Sequence, residues 1–226
     1  MNTLVINSSL NGKKGYIEHI LNWIKKEFNE NEITTRYTKD DRIGNCRGCR
    51  NCTFQAKGNC PITDSMAIYQ RYMKNSDLII IGAPIYANFI SAKLKTFFER
   101  LRPMISGKYG YNSHGHFSCK SREDVKYNIL VVSICGFPEI ENFEPARIFF
   151  ETLFERFEFF KNAGGIFIPA FPFIKDKKPE LLDEIKKEIK SQINKVKKGQ
   201  KAFLYKEWVS HQEYENYLKE TKFFQK

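Results

Sequence analysis

From residue 77 to 84 the chain reads Asp-Leu-Ile-Ile-Ile-Gly-Ala-Pro, apolar at every inner position rather than at alternate ones. A strand with one wet face alternates in polarity. A strand apolar on both faces is covered on both, as in a parallel sheet held between two layers of helices. Leu4-Val5-Ile6 and Ile129-Leu130-Val131-Val132-Ser133-Ile134 repeat the pattern. Between such runs, apolar residues recur at helical spacing: Ile17, Ile20, Leu21, Ile24 and Phe28 after the first, and Leu94, Phe97, Phe98 and Leu101 after residue 84. Strand and helix alternate, and right-handed crossovers leave few topologies for that order other than an open parallel sheet.

The remaining elements are weaker. Residues 32–37 and 165–168 give two further strands, for five in all. Helices are expected from Asp64, read as an N-cap, to Met73, over 145–161, and over 180–196, where Leu181, Leu182, Ile185, Ile189, Ile193 and Val196 share a face. Residues 105–126 are polar, glycine-containing and patternless, and read as a long loop. The division expected is one domain over 1–200 with a cysteine-rich insert at 45–61, followed by a helical extension over 201–226. In that extension Trp208, Tyr214 and Tyr217 are candidates for packing on the body or on another subunit.

The 226 residues carry a formal charge of +11, which raises the question of nucleic acid. Ten lysines, however, lie between Lys175 and Lys201 among Glu180, Asp183, Glu184 and Glu188, the composition of a solvated helix face. Nucleic acid is therefore not the expected partner, and an acidic redox partner or a phosphorylated cofactor suits the charge better. The opening Met-Asn-Thr-Leu-Val-Ile-Asn-Ser-Ser is too short an apolar run for a secretory core, and no stretch has the length of a membrane span. A cytoplasmic protein without a membrane partner is expected.

Four of the six cysteines, Cys46, Cys49, Cys52 and Cys60, are spaced C-x2-C-x2-C-x7-C. Three thiolates two residues apart can wrap three corners of a small iron-sulfur cluster, and a fourth a few residues later can close it. Zinc sites usually use two separated pairs, so zinc ranks below a cluster. Free or redox-active thiols remain the alternative, because C-x2-C loops scaffold disulfides poorly.

Three strand ends carry loop chemistry. Asn7-Ser8-Ser9 through Gly15 offers hydroxyls, glycines and amides at a helix start, which suits a phosphate monoester, with Ser8 and Ser9 as donors. No Gly-Lys-Ser/Thr follows, so triphosphate hydrolysis lacks support. The second loop, Pro84, Ile85, Tyr86, Ala87 and Asn88, has a flat aromatic surface and an amide for a ring edge. In the third, Gly136 lets backbone approach a ligand, and Cys135 beside it reads as a small buried residue. In the strand order 2-1-3-4-5 these loops converge at the switch point.

The stretch from residue 64 to 101, with Asp64 and Met66, Pro84 and Tyr86, Leu94 and Lys95, and Glu99 and Arg100, resembles the NAD(P)H-dependent FMN reductase family and its iron-sulfur flavoprotein branch. The resemblance spans roughly residues 1 to 170. Where that family opens with Gly-Ser-Pro-Arg this chain has Asn7-Ser8-Ser9-Leu10, leaving Lys13, Lys14 or Asn11 to stand in for the arginine. The resemblance implies a flavodoxin-like fold and FMN held by Ser8, the 84–88 loop and Cys135-Gly136. It also implies a 4Fe-4S cluster on the four cysteines and subunits that associate. The function expected is that of an FMN-dependent oxidoreductase or electron-transfer flavoprotein, a homo-oligomer exchanging electrons with a nicotinamide nucleotide or a small redox protein such as ferredoxin. No side chain is assigned as acid or base, since the flavin carries the chemistry. His114 and His116 have no evident carboxylate partner. The alternatives are a metal-free NAD(P)H-dependent FMN reductase and a non-enzymatic cysteine-based metal or redox sensor.

Overall fold

The computed structural model describes residues 1–221. In chain order the strands and α-helices are β1 Thr3–Asn7, α1 Ile17–Lys25, β2 Ile33–Tyr37, α2 Asn51–Phe54, α3 Met66–Lys74, β3 Leu78–Gly82, α4 Ala92–Glu99, β4 Ile105–Tyr111, β5 Phe117–Ser121, β6 Tyr127–Ile134, α5 Glu144–Arg156, β7 Phe160–Ile168, α6 Phe171–Lys177, α7 Leu182–Lys197, β8 Ala202–Tyr205 and α8 His211–Glu220. The main sheet is parallel in the order β2-β1-β3-β6-β7-β8, the flavodoxin-like arrangement with one strand more than expected.

The doubly apolar strands sort their side chains as the pleat requires. Leu4, Ile6, Ile79 and Ile81 face one core with Met66, Tyr69, Leu94 and Phe97, while Val5, Leu78 and Ile80 face the other with Ile17, Leu21, Ile185 and Ile189. Each such side chain removed from water contributes about 1.5–3 kcal/mol, so two continuous layers hold the sheet rigid beneath its loops.

Three expectations need correction. The sheet has six strands, because Ala202–Tyr205 pairs in parallel with β7. The extension therefore opens with a sheet strand, and only His211–Glu220 within it is an α-helix; residues 222–226 of the expected extension lie outside the described residues. Residues 105–126 are not a patternless loop either: β4 and β5 form an antiparallel hairpin, stacking Tyr111 on Phe117. Finally, His116 Nδ1 does meet a carboxylate, that of Glu155 on α5. Tyr214 and Tyr217 pack on Phe173 of α6, and Trp208 packs on the same side of the sheet, so the extension covers its own body.

Candidate flavin and cysteine sites

β1 lies between β2 and β3, so the chain reverses its winding direction there and the loops after β1 and β3 open beside one another. Asn7, the last residue of β1, organises the first loop. Its Nδ2 donates to Glu18 Oε2 at 2.7 Å and to the Gly12 carbonyl at 3.4 Å, while its Oδ1 accepts the Ser9 amide at 2.8 Å. Glu18 also accepts from Tyr37 and Lys25, both at 3.0 Å. Burial and this carboxylate push the Tyr37 phenol up to about 12.

The two serines have different fates. Ser8 donates both its amide and its hydroxyl to the Gly82 carbonyl, at 2.9 and 2.8 Å, and its own carbonyl accepts from Ser91 Oγ at 3.1 Å. Its hydroxyl is thus committed to joining β1 to β3. Ser9 stays in the loop, where its Oγ accepts the Asn11 amide at 3.2 Å and lies 3.3 Å from the Tyr86 hydroxyl, which also accepts the Leu10 amide at 3.2 Å. Gly15 sits beneath: a Cβ there would stand 2.4 Å from Ser9 Oγ.

The second and third loops are stitched together. Ala83 and Ile85 donate their amides to the Val132 and Ile134 carbonyls at 2.8 and 2.9 Å, and Ser133 Oγ donates to the Ala83 carbonyl at 2.6 Å. Pro84 is buried. Tyr86 and Phe89 exchange two backbone hydrogen bonds around Ala87 and Asn88, both left-handed at φ 46° and 59°. Two consecutive non-glycine residues in that region store strain, which concentrates at binding sites. Both project to solvent, as does Gly136, where an added Cβ would meet nothing within 4 Å. Cys135 is buried, donates to the Phe137 carbonyl at 3.2 Å and is pushed up to about 11 by burial, so it is an inert thiol.

Of the expected flavin contacts, Ser9, Gly15 and Tyr86 meet at one point, Ile85 carries that point to the third loop, and Ser8 lies behind it. The sequence names Asn7 only as the opening residue of the first loop and gives Glu18 and Ser91 no place in the site. A polar residue closing an apolar strand and a carboxylate interrupting the apolar face of α1 are the signals that mark the first two.

All six cysteines are free thiols. Cys52 is buried, Cys46 and Cys60 are half-buried and Cys49 is exposed. Burial pushes the Cys52 thiol up, the nearby Cys60 and Cys46 add to the rise, and Thr53 and Arg102 oppose it. Among the described residues no three metal-ligating side chains are gathered around one point. Even so, Cys46 and Arg102 line one cavity of about 480 Å3 with Phe98, Leu101 and Phe157, and the Nε atoms of Arg100 and Arg102 are buried without a hydrogen-bond partner. Soft thiols beside unpaired guanidinium donors would suit an anionic metal-thiolate group chemically, and the exposed Cys49 would have to turn inward to join it.

In solved structures the fold recurs in an FMN-dependent NADH-azoreductase from Bacillus anthracis in complex with FMN, with a TM-score of 0.58 and 18% identity over 87% of this chain and 99% of that one. An iron-sulfur flavoprotein of Archaeoglobus fulgidus is 34% identical over 84 residues, 35% of this chain and 37% of the relative. Another, of Methanocaldococcus jannaschii, is 35% identical over 91 residues, 40% of this chain and 45% of the relative. The chain thus matches less than half the length of either relative. The model of the NADPH-dependent FMN reductase family matches residues 1–117, just over half of the chain and the part that builds β1, β3 and the loops after them. With that match and the switch-point loops in place, the chain belongs to the NADPH-dependent FMN reductase family.

Proposed function

We propose that this chain is an FMN-dependent oxidoreductase that passes electrons between a nicotinamide nucleotide or a small redox protein and its flavin, with a 4Fe-4S cluster on Cys46, Cys49, Cys52 and Cys60. The observation that carries the flavin reading is the junction of Ser9, the Leu10 amide and Tyr86 at the switch point of a doubly wound sheet. FMN, when bound, supplies the hydride- and electron-accepting chemistry. The chain binds and orients it. Ser9 and the amides before α1 receive the phosphate, Tyr86 and Asn88 flank the ring, and Gly136 admits it to the backbone. The cluster reading is supported by the cysteine spacing, the unpaired guanidinium donors and the names of the two relatives; a cluster there would supply one-electron transfer. A metal-free flavin reductase is the second reading, favoured by the exposed Cys49. Among the described residues no helix is long and apolar enough to cross a membrane.

The absorption spectrum of anaerobically purified protein separates these readings. Flavin bands with broad brown absorbance support flavin and cluster, flavin bands alone support the metal-free reductase, and absence of flavin overturns both. Chromatography of the heat-released cofactor is expected to show FMN, because one short phosphate loop offers nothing for an adenosine half; FAD in that fraction would refute the assignment.

Gly15→Ala tests the loop itself. Gly15 has φ −78°, which any residue adopts, so only its Cβ matters, and that atom displaces Ser9 Oγ from Asn11 and Tyr86. Losing one to two loop hydrogen bonds of about 1 kcal/mol each costs the flavin-free protein up to about 2 kcal/mol of stability and, by displacing Ser9, weakens FMN binding roughly tenfold. Fluorescence titration with FMN measures it, and undiminished affinity would remove Ser9 from the site.

A further inference from the structure

We propose that Arg100 and Arg122, two arginines outside the cysteine motif, are positioning residues that anchor the ends and the middle of the segment bearing Cys46, Cys52 and Cys60 and so limit how far its thiols must move to close on a metal group. The proposal rests on the cluster reading above.

Between β2 and α3 the chain has only the four-residue α2 as helix, and residues 44–50 have no regular structure. Such a segment carries little internal order and takes its shape from what grips it. Arg100 grips its two ends. Nη1 donates to the Gly44 carbonyl at 2.7 Å and to Asp64 Oδ2 at 2.6 Å; Nη2 donates to Asp64 Oδ1 at 3.1 Å, the Ile62 carbonyl at 3.4 Å and Cys60 Sγ at 3.6 Å. One buried guanidinium therefore closes the loop at its neck and directs an N–H to a thiol.

Arg122 grips the middle. Its Nη2 donates to the carbonyls of Cys52, Thr53 and Ile105 at 3.1, 3.3 and 2.8 Å, and its Nε donates to that of Pro103 at 3.0 Å. Pro103 and Ile105 enter the β4–β5 hairpin and Arg122 directly follows it, so the base of the hairpin and α2 are riveted by one side chain. Gly58 passes so close that a Cβ would lie 3.0 Å from Arg122 Cδ. A planar fork of fixed donors can serve several carbonyls at once, and a lysine ammonium cannot reproduce that pattern. The hairpin thereby gains a role, as the arm that presents Arg122 to the carbonyl of a cysteine.

The test uses the full-length, metal-free protein. Hydrogen exchange followed by mass spectrometry compares wild type with Arg122→Gln, Arg122→Lys and Arg100→Lys, and iron per chain is measured after anaerobic addition of ferrous iron and sulfide. In Arg122→Gln, exchange is expected to rise roughly tenfold or more in residues 50–58 with the sheet unchanged, as loss of several bonds to a charged donor implies. Iron per chain is expected to fall several-fold, with partial recovery in Arg122→Lys. Arg100→Lys should instead loosen residues 43–46 and 60–64. Unchanged local exchange and unchanged iron would overturn the proposal, as would faster exchange spread over the whole sheet, which marks mere stabilisation. Wild type that takes up no iron yet shows the split exchange pattern would sink the cluster reading and leave the anchoring intact.

Discussion

Iron bound after anaerobic reconstitution will fall to background in Cys60→Ala, and equally in Cys46→Ala, Cys49→Ala and Cys52→Ala, while Cys119→Ala and Cys135→Ala keep the wild-type content. A four-iron cluster needs all four thiolates, so losing one corner is nearly as damaging as losing all. Cys135 is held away by geometry, its thiol buried and bonded to the Phe137 carbonyl. Cys119 lies within β5, paired with Tyr109 of β4 and outside the segment that carries the four spaced cysteines. Iron and sulfide assays on the six variants decide the matter. Iron that survives Cys60→Ala would remove the last cysteine from the set.

The second large effect concerns stability. The side chains of Arg100 and Asp64 are 1% and 2% exposed and meet at 2.6 Å. Asp64 also accepts the Gly44 amide at 2.9 Å and, from just before α3, the Met66 amide at 3.0 Å. Asp64→Ala leaves a buried guanidinium without its counter-charge, which costs about 3–5 kcal/mol. Urea unfolding should show the midpoint falling accordingly at constant slope; a loss below about 1 kcal/mol would mean that water reaches the pair. The pH dependence has a definite sign. Burial pushes the Asp64 carboxyl up, but Arg100 and the two amides outweigh it and hold the folded value below the ordinary 3.8. The unfolded chain therefore binds the proton first. The contribution is full above that ordinary value and disappears as pH falls through the lower folded one, so the stability gap between wild type and Asp64→Asn should narrow only in that acidic window.

The sheet was legible because strands covered on both faces cannot hide their apolar runs: Leu78–Gly82 and Tyr127–Ile134 occupy the central positions those runs demand. β8 was not, because it is four residues long, sits at the sheet edge and leaves Phe203 65% exposed, so that its pattern passes for the end of the preceding helix. The hairpin was hidden by Gly107, Gly110 and Gly115, which break the alternation of β4 and its turn. The loops of the flavin site could be found as strand ends, but the commitment of Ser8 to Gly82 depends on the register between β1 and β3. Arg100 and Arg122 reach the cysteine segment and its flanks across 36 to 70 positions, a separation that local patterns do not encode.

Helix α4 touches both candidate sites. At its start Ser91 caps the Leu94 amide and bonds the Ser8 carbonyl of the flavin loop; just beyond its end Arg100 holds the neck of the cysteine segment. Eight helical residues rise about 12 Å, and a helix packed through Leu94, Phe97 and Phe98 neither stretches nor bends easily. It is a strut. Lengthening the loops at either end would leave the spacing between the two sites nearly unchanged, whereas inserting one residue into α4 would turn Arg100 about 100° around the axis and uncouple them.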